Sequence, residues 1–475
     1  VATVVSYTAR PRRLTQALLL LLALATGLGA IALVSLGRTG ELPSSFPLTA
    51  GMAAGIAVLL QVLVMIRAPY ADPTILPLTL LLNLIGLAAI SSYDTARILF
   101  NDKTSAYAGR QLIWTAVGVL ACAAVLWLLR DHRILRRYTW VSAVAGALFL
   151  LLPLVPGLGR DVYGARIWIS IAGYSFQPAE IAKILFAVFF AGYLVSRRDT
   201  LALAGPKVLG IHLPRWSDFG PIVVAWAFAV AILVFETDLG TSLMFFGLFV
   251  AMLYIATDRL SWMIIGAVMF LPPALYAVTQ VSHVQKRLTC WLDPLASSNY
   301  EACFQINQGL FGMGAGGVVG AGLGEGRPSM VPFGQSDFIF SGIAEEMGMI
   351  GTFAVLLMYL LLVQRALRAA VGISDGFGTL LAGGLGFVIA LQVFVVVGGV
   401  TRVMPLTGLT LPFLAAGGSS LVANWIIVGL LVRLSDAARR PSARRAGAGA
   451  PHGAGAPHGA TASDAGAAAP QGVAA

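Results

Sequence analysis

The sequence predicts an all-α polytopic membrane protein with about twelve transmembrane helices, and three observations carry that prediction. Apolar residues make up 58% of the chain and charged residues only 11%, about half the charged share of a soluble domain. The apolar residues are gathered into runs of about 20, each long enough to cross a hydrocarbon layer of roughly 30 Å. Within a run the hydropathy is continuous and does not alternate, so helices fit and lumen-facing barrel strands do not.

Taken in order, the runs fall at 14–36, 47–66, 75–93, 110–129, 138–156, 178–196, 218–235, 238–256, 260–279, 338–363, 378–399 and 416–436. The first has no small-residue cleavage site behind a short core and reads as a retained span. The sixth contains Glu180 and Lys183, unusual inside an apolar run. Connections at 37–46 and 94–109 read as plain polar loops. Three others do not: 157–177, 280–337 and 400–415. The middle one is long, and its LFGMGAGGVVGAGLGEG stretch predicts ordered but non-helical chain near the membrane surface. The last, RVMPLTGLTLPFLAAGGSS, is apolar yet broken by Pro405, Pro412, Gly417 and Gly418. An apolar stretch too interrupted for a spanning helix predicts a re-entrant loop lining a cavity. From 441 onward, Ala, Gly and Pro with the tandem GAGAPHGAGAPHGA predict a disordered tail at 441–475. His452 and His458 in that repeat do not make a metal site.

Charge sets the expected orientation. Most of the 31 lysines and arginines fall on one side of the twelve-span scheme, among them Arg12 and Arg13, the Arg130–Arg137 cluster, Arg197 and Arg198, and Arg439 to Arg445. The positive-inside rule makes that side cytoplasmic, so residues 1–13 and the tail are expected inside and 280–337 outside. The net charge of +10 is this topology signal plus attraction to anionic lipid, not a nucleic-acid surface. Cys122 reads as a packing residue within a span. Cys290 and Cys303 share the loop expected outside, where disulfides persist. A bridge between them is expected, two free thiols being the alternative.

Ionisable groups in or beside a span cost several kcal/mol unless paired or wet, which makes them functional candidates. Here they are Arg166 beside Trp168, then Glu180 and Lys183 at i, i+3, then Glu236 and Asp238, Asp293, Asp337, Glu345 with Glu346, and Arg402. Each has a plainer reading: a structural ion pair for Glu180 with Lys183, a helix cap for Asp238, pairing within the bundle for Glu345 and Glu346. All map to the side expected outside, where a cationic cavity suits an anionic lipid headgroup, since guanidinium forks match phosphate oxygens. There is no P-loop, no strand-borne GxGxxG and no His/Cys cluster with metal spacing. Nucleotide-driven chemistry is therefore unsupported, and the energy of any transfer must already reside in the substrate.

These segments resemble the SEDS family, whose RodA, FtsW and SpoVE members include polymerases of peptidoglycan. The resemblance covers roughly 75–436 and rests on ARIWISI with YSFQPAEIAK, on DLGTS, on GLGEGRPSMVPFGQSDFIFSGIAEEMG and on RVMPLTGLTLPFLAAGGSS. WLDP, RDHRILRRY and RLSDAARRP are closer to the RodA type. The resemblance implies a ten-helix core, with the two helices at 14–66 as an N-terminal addition. It implies inverting glycosyl transfer from lipid II at the outer membrane face, for cell-wall elongation. It also implies a class B penicillin-binding protein and other elongation or division proteins as partners, in a bacterial cytoplasmic membrane. No cofactor is demanded, although a divalent cation on the diphosphate is compatible. By position the base is Asp293, with Arg166, Trp168, Glu180, Lys183, Asp238, Asp337, Glu345 and Arg402 around the substrate. Many members carry two Asp-Pro steps in the loop. This chain keeps only Asp293-Pro294, with Ser297 where the second acid would fall, so Glu301 is the alternative base. Rival readings are a lipid II flippase or other transporter, a septal polymerase of the FtsW type, and a structural scaffold.

Overall fold

A computed structural model of the chain describes residues 11–101 and 106–441, apart from 163–164, 172–173 and most of 203–237. Nearly all of the expected seventh span, Glu236 and the tail from 442 lie outside the described residues. Within them, eleven helical stretches are long and apolar enough to cross a membrane. They correspond in order to the other eleven expected spans.

In chain order the helices are α1 (Arg13–Thr39), α2 (Phe46–Arg67), α3 (Ile75–Asn101), α4 (Tyr107–Leu128), α5 (Thr139–Leu151) and α6 (Ala179–Ala202). After the undescribed stretch come α7 (Leu239–Thr257), α8 (Leu260–Gln280), the short α9 (Ser282–Leu292) and α10 (Phe304–Gly316). The chain then closes with α11 (Ile339–Gly372), α12 (Gly376–Val400) and α13 (Gly418–Arg439). Helices α3, α12 and α13 form the interior, whereas α1, α2 and α8 leave most of their surface facing outward. Apolar side chains such as Leu21, Val58 and Val268 are exposed there, as lipid-facing residues are in a spanning bundle.

Four details depart from expectation, each for a local reason. The connection at 94–109 is mostly helix: α3 runs on to Asn101, and α4 opens with its Ala108 N–H bonded to Asp94 Oδ2 at 2.8 Å. The LFGMGAG portion of the glycine stretch is also helical, as the end of α10. Two glycines of this helix serve close packing: a Cβ on Gly309, just before that portion, would fall 2.6 Å from Phe338, and one on Gly316 would meet the Ala344 carbonyl oxygen. Only from Gly317 does the chain leave the helix, with positive φ at Gly317, Gly320, Gly322 and Gly324. The third departure is the segment 159–176, which is a small antiparallel sheet and not a loop. There β1 (Gly159–Val162) pairs with β2 (Ala165–Ile171), and β2 with β3 (Tyr174–Phe176). The period-two alternation of ARIWISI suits it. Finally, α11 breaks at Gly348 (φ 65, ψ −168) and continues. The break and the glycine stretch clasp each other through backbone bonds: Ala321 and Gly322 donate to Glu345 and Glu346 carbonyls, and Met349 and Ile350 donate to Gly317 and Val318 carbonyls.

The stretch at 400–415, expected as a re-entrant loop, is non-helical between α12 and α13. Leu411, Phe413 and Leu414 are nonetheless fully buried. Helix α3 lies directly against this segment at Gly86, where a Cβ would come within 2.6 Å of Leu414 Cα and its carbonyl oxygen. Backbone cannot step aside as a side-chain tip can, so Gly86→Ala should destabilise the protein by about 1–3 kcal/mol. Gly55→Ala, at a helical site with nothing within 4 Å, should be neutral or slightly stabilising. Thermal unfolding of the two variants in detergent checks the contrast, and equal melting temperatures would contradict this packing.

Candidate functional site

The centre of the polar region is a lysine with no exposed surface. Lys183, at the start of the second turn of α6, donates to Glu180 Oε2 at 2.5 Å, Gln392 Oε1 at 3.0 Å and Asn424 Oδ1 at 3.3 Å. An ammonium has three donors, and these three acceptors use all of them. Gln392 Nε2 in turn bonds the Thr410 carbonyl at 2.9 Å, and Asn424 Nδ2 bonds the Ser420 carbonyl at 2.8 Å. Helices α6, α12, α13 and the re-entrant segment thus meet at one cation. The pairing of Glu180 with Lys183 was legible from their spacing. Gln392 and Asn424 were not named from sequence, although an amide inside an otherwise apolar run was the available signal.

A second cluster forms around α9. Asp293 is the C-cap of that helix and lies exposed, and among the described residues its carboxylate has neither hydrogen bond nor ion pair. Its backbone, by contrast, is held from several sides. Cys290 and Cys303 form a disulfide with their Cα atoms 5.3 Å apart. Arg402 donates to the Trp291 carbonyl (Nε 3.1 Å, Nη2 2.8 Å) and to that of Leu292 at 3.2 Å. Trp291 Nε1 returns a bond to the Arg402 carbonyl at 3.0 Å. Asn307 Nδ2 reaches the Pro294 carbonyl at 2.8 Å and Asn299 Nδ2 that of Asp293 at 3.1 Å. A guanidinium over the last carbonyls of a helix answers both the unpaired acceptors and the negative dipole end. Arg402 is therefore engaged with backbone beside Asp293, and its own φ of 60° is left-handed, a conformation uncommon for a non-glycine residue. Glu301, the alternative acid, is exposed one turn before α10.

The other candidates are distributed around these two clusters. Asp238 caps α7, accepting from Thr241 N at 3.1 Å and Thr241 Oγ1 at 2.5 Å, which is the plainer role. Glu345 accepts from the Arg327 N–H at 2.6 Å and so holds the end of the glycine stretch. Glu346 instead pairs with Arg38 of α1 at 3.2 Å and with Ser92 of α3, and Arg38 also donates to the Gly326 carbonyl at 2.6 Å. Arg38 falls in the segment 37–46 that the sequence predicts as a plain polar connection, and it lies in the last turn of α1. Trp168 lies half-buried on β2, and Arg166 two residues before it on the same strand. Arg287 of α9, which carried no sequence signal, donates to the Thr407 carbonyl at 2.9 Å and lies near Asp337. Burial pushes the Asp337 carboxyl up to about 6, against the opposing pull of Arg287 and a Ser336 hydrogen bond. Among the described residues no group of three or more His, Cys, Asp or Glu side chains converges as a metal site would.

Comparison with known proteins matches residues 73–440 to the family described as "Cell cycle protein", that of FtsW, RodA and SpoVE. The peptidoglycan glycosyltransferase RodA of Mycobacterium tuberculosis is 44% identical over 379 residues, covering 80% of this chain and 81% of that protein. The stage V sporulation protein E of Bacillus subtilis is 32% identical over 375 residues, covering 78% of this chain and 98% of that protein. In fold, the chain is similar to one in a solved peptidoglycan synthase complex. That likeness has a TM-score of 0.60 at 24% identity, covering 77% of this chain and 97% of the other.

The raised carboxyl makes stability depend on pH. Asp337 keeps its proton in the folded state up to about pH 6, while in the unfolded chain it ionises near 3.8. The unfolded state is therefore favoured increasingly as pH rises from 3.8 to 6, and the penalty is constant above that. Asp337→Asn should raise the melting temperature relative to the parent at pH 7.5, with the gain shrinking between pH 6 and pH 4. Melting curves across that range check it, and a pH-independent difference would exclude burial as the cause.

Proposed function

This chain belongs to the FtsW, RodA and SpoVE family of cell cycle proteins, and on that footing we propose that it is a peptidoglycan glycosyltransferase of the RodA type. It is a multi-pass membrane protein that polymerises lipid II into glycan strands, for cell-wall elongation and cell shape. The observation that supports this best is the placement of Asp293: an exposed carboxylate on a backbone held by the disulfide, Pro294 and Arg402. A transporter of lipid II needs no acid fixed on one side. The identity of 44% to a RodA against 35% to a probable FtsW of Geobacter metallireducens favours elongation over septation.

In the proposed reaction the Asp293 carboxylate takes the proton of the acceptor sugar's 4-hydroxyl as that oxygen attacks the donor's anomeric carbon. The bond from that carbon to the diphosphate breaks with inversion, and undecaprenyl diphosphate leaves with the electron pair. A base within hydrogen-bond reach contributes about 10²–10⁴-fold. Cationic groups stabilise charge developing on the leaving diphosphate. For Lys183 to do so, one of its amide partners must give way, because all three donors are engaged. The core at 75–436 carries this chemistry, and α1 and α2 are an N-terminal addition to it. The loop at 280–337 faces outward from the cytoplasmic membrane, with both termini inside. A class B penicillin-binding protein and elongation proteins are the proposed partners.

Asp293→Ala should abolish strand synthesis from labelled lipid II while shifting stability by no more than about 0.5 kcal/mol, as exposed sites do. Lys183→Ala should lose both activity and stability, by roughly 3–5 kcal/mol, because Glu180 is left buried without its partner. Strand synthesis surviving in Asp293→Ala but not in Glu301→Ala would move the base to Glu301. Survival in both would remove the loop-acid mechanism, whereas absence of strand synthesis by the parent itself would favour the transporter. Orientation is checked separately: a reporter beside exposed Val319 should read external and one after Arg445 cytoplasmic. The reverse pattern would end the outward-facing mechanism.

A further inference from the structure

The family match begins at residue 73, so α1 and α2 lie outside it. Yet a buried acid of the matched core takes its countercharge from α1. The side chains of Glu346 and Arg38 are each only 4% exposed, and among the described residues Arg38 is the one cation paired with that carboxylate. A buried carboxylate without a cation is strongly unfavourable in a bundle set in lipid. At this point the core is completed by a helix that precedes it.

The guanidinium does more than balance a charge. Its Nη1 donates to the Gly326 carbonyl at 2.6 Å, and its Nη2 donates to Ser92 Oγ at 2.9 Å and Glu346 Oε1 at 3.2 Å. The Ser92 hydroxyl donates to the same carboxylate oxygen, and the Gly324 N–H also bonds the Glu346 carboxylate. One planar fork therefore ties together α1, α3, α11 and the glycine stretch. Backbone meets backbone beside it: a Cβ on Gly37 would fall 2.4 Å from the Leu323 carbonyl oxygen, and one on Gly324 2.3 Å from that of Val34. Those two glycines let α1 come close enough for Arg38 to reach Gly326.

The chain that Arg38 holds leads directly to the candidate site. The next N–H, that of Arg327, is taken by Glu345 at 2.6 Å. Eight residues on, Ala416 N–H donates to the Gln335 carbonyl at 2.8 Å, and Asp337 follows two residues later. Arg38 itself has almost no exposed surface with which to touch a lipid-linked substrate, so any effect on the reaction passes through the backbone it fixes.

We propose that Arg38 is a positioning residue of the polymerase, supplied by α1 to fix the chain between α10 and α11 against the core. The proposal rests on the polymerase reading and deepens it.

The test compares the full-length parent, Arg38→Met and the double variant Arg38→Met/Glu346→Gln in lipid nanodiscs. Three properties are read: melting temperature, hydrogen exchange of the amides at 317–330, and kcat and KM for strand synthesis from labelled lipid II. Arg38→Met leaves the Glu346 charge unanswered, so its melting temperature should fall by several degrees. The double variant removes charge and countercharge together, and its melting temperature should return to within about 2 °C of the parent. In both variants, exchange at 317–330 should be about tenfold faster than in the parent while α13 is unchanged. In both, kcat should fall about tenfold with KM held within about twofold, because alignment is lost and no substrate contact is. A purely structural ion pair gives a different pattern: in the double variant, slow exchange and full turnover return along with the melting temperature. That pattern overturns the proposal, as does parental kcat in Arg38→Met or a rise in KM at constant kcat. If Arg38→Met does not fold, the double variant decides alone. A parent that makes no strands sinks the polymerase reading and the effect on turnover with it, while exchange at 317–330 still shows whether Arg38 holds the segment.

Discussion

A lysine without exposed surface, inside a bundle built to lie in lipid, must have its charge and all three donors answered. Lys183 meets that demand with one carboxylate and two amides. The consequence is architectural, because the acceptors come from three different helices. Gln392 passes the constraint to the re-entrant segment through Thr410, and Asn424 passes it along α13 through Ser420. An unanswered ammonium in this setting would cost several kcal/mol, so these helices have little freedom to choose another register.

The re-entrant segment carries the constraint to the loop that bears the acid. Thr410, toward its far end, is fixed by the lysine's network, and at its near end Arg402 grips the last carbonyls of α9. Arg287 of the same helix holds the Thr407 carbonyl between them. Asp293 follows directly on α9, with the disulfide closing the loop behind it. An exposed acid on a supported backbone is what the proposed proton abstraction requires, because geometry has to be in place before the acidity matters.

Helix α1, which precedes the family match, is coupled to the same end of the bundle. Arg38 of α1 joins Glu346 of α11, Ser92 of α3 and the Gly326 carbonyl. Glu345, the next residue on α11, holds the Arg327 N–H, and the break at Gly348 is clasped by the glycine stretch. Helix α1 thus has polar contacts with the chain between α10 and α11 and with the start of α11.

The sequence by itself determined the bundle and the order of its spans, and it named the residues of the candidate site. Length and continuity of apolar runs are local properties, and lipid leaves the backbone few alternatives to helix. The Glu180–Lys183 pair was readable because i, i+3 spacing is local too, and the broken apolar stretch at 400–415 announced itself by its prolines and glycines. Only tertiary structure decided who answers whom. That Lys183 is met by Gln392 and Asn424, or that Arg402 faces the α9 carbonyls and not open solvent, depends on residues far apart in sequence. The same holds for Arg38 with Glu346. A side chain's partner across a bundle is set by packing angles and registers that no local pattern encodes.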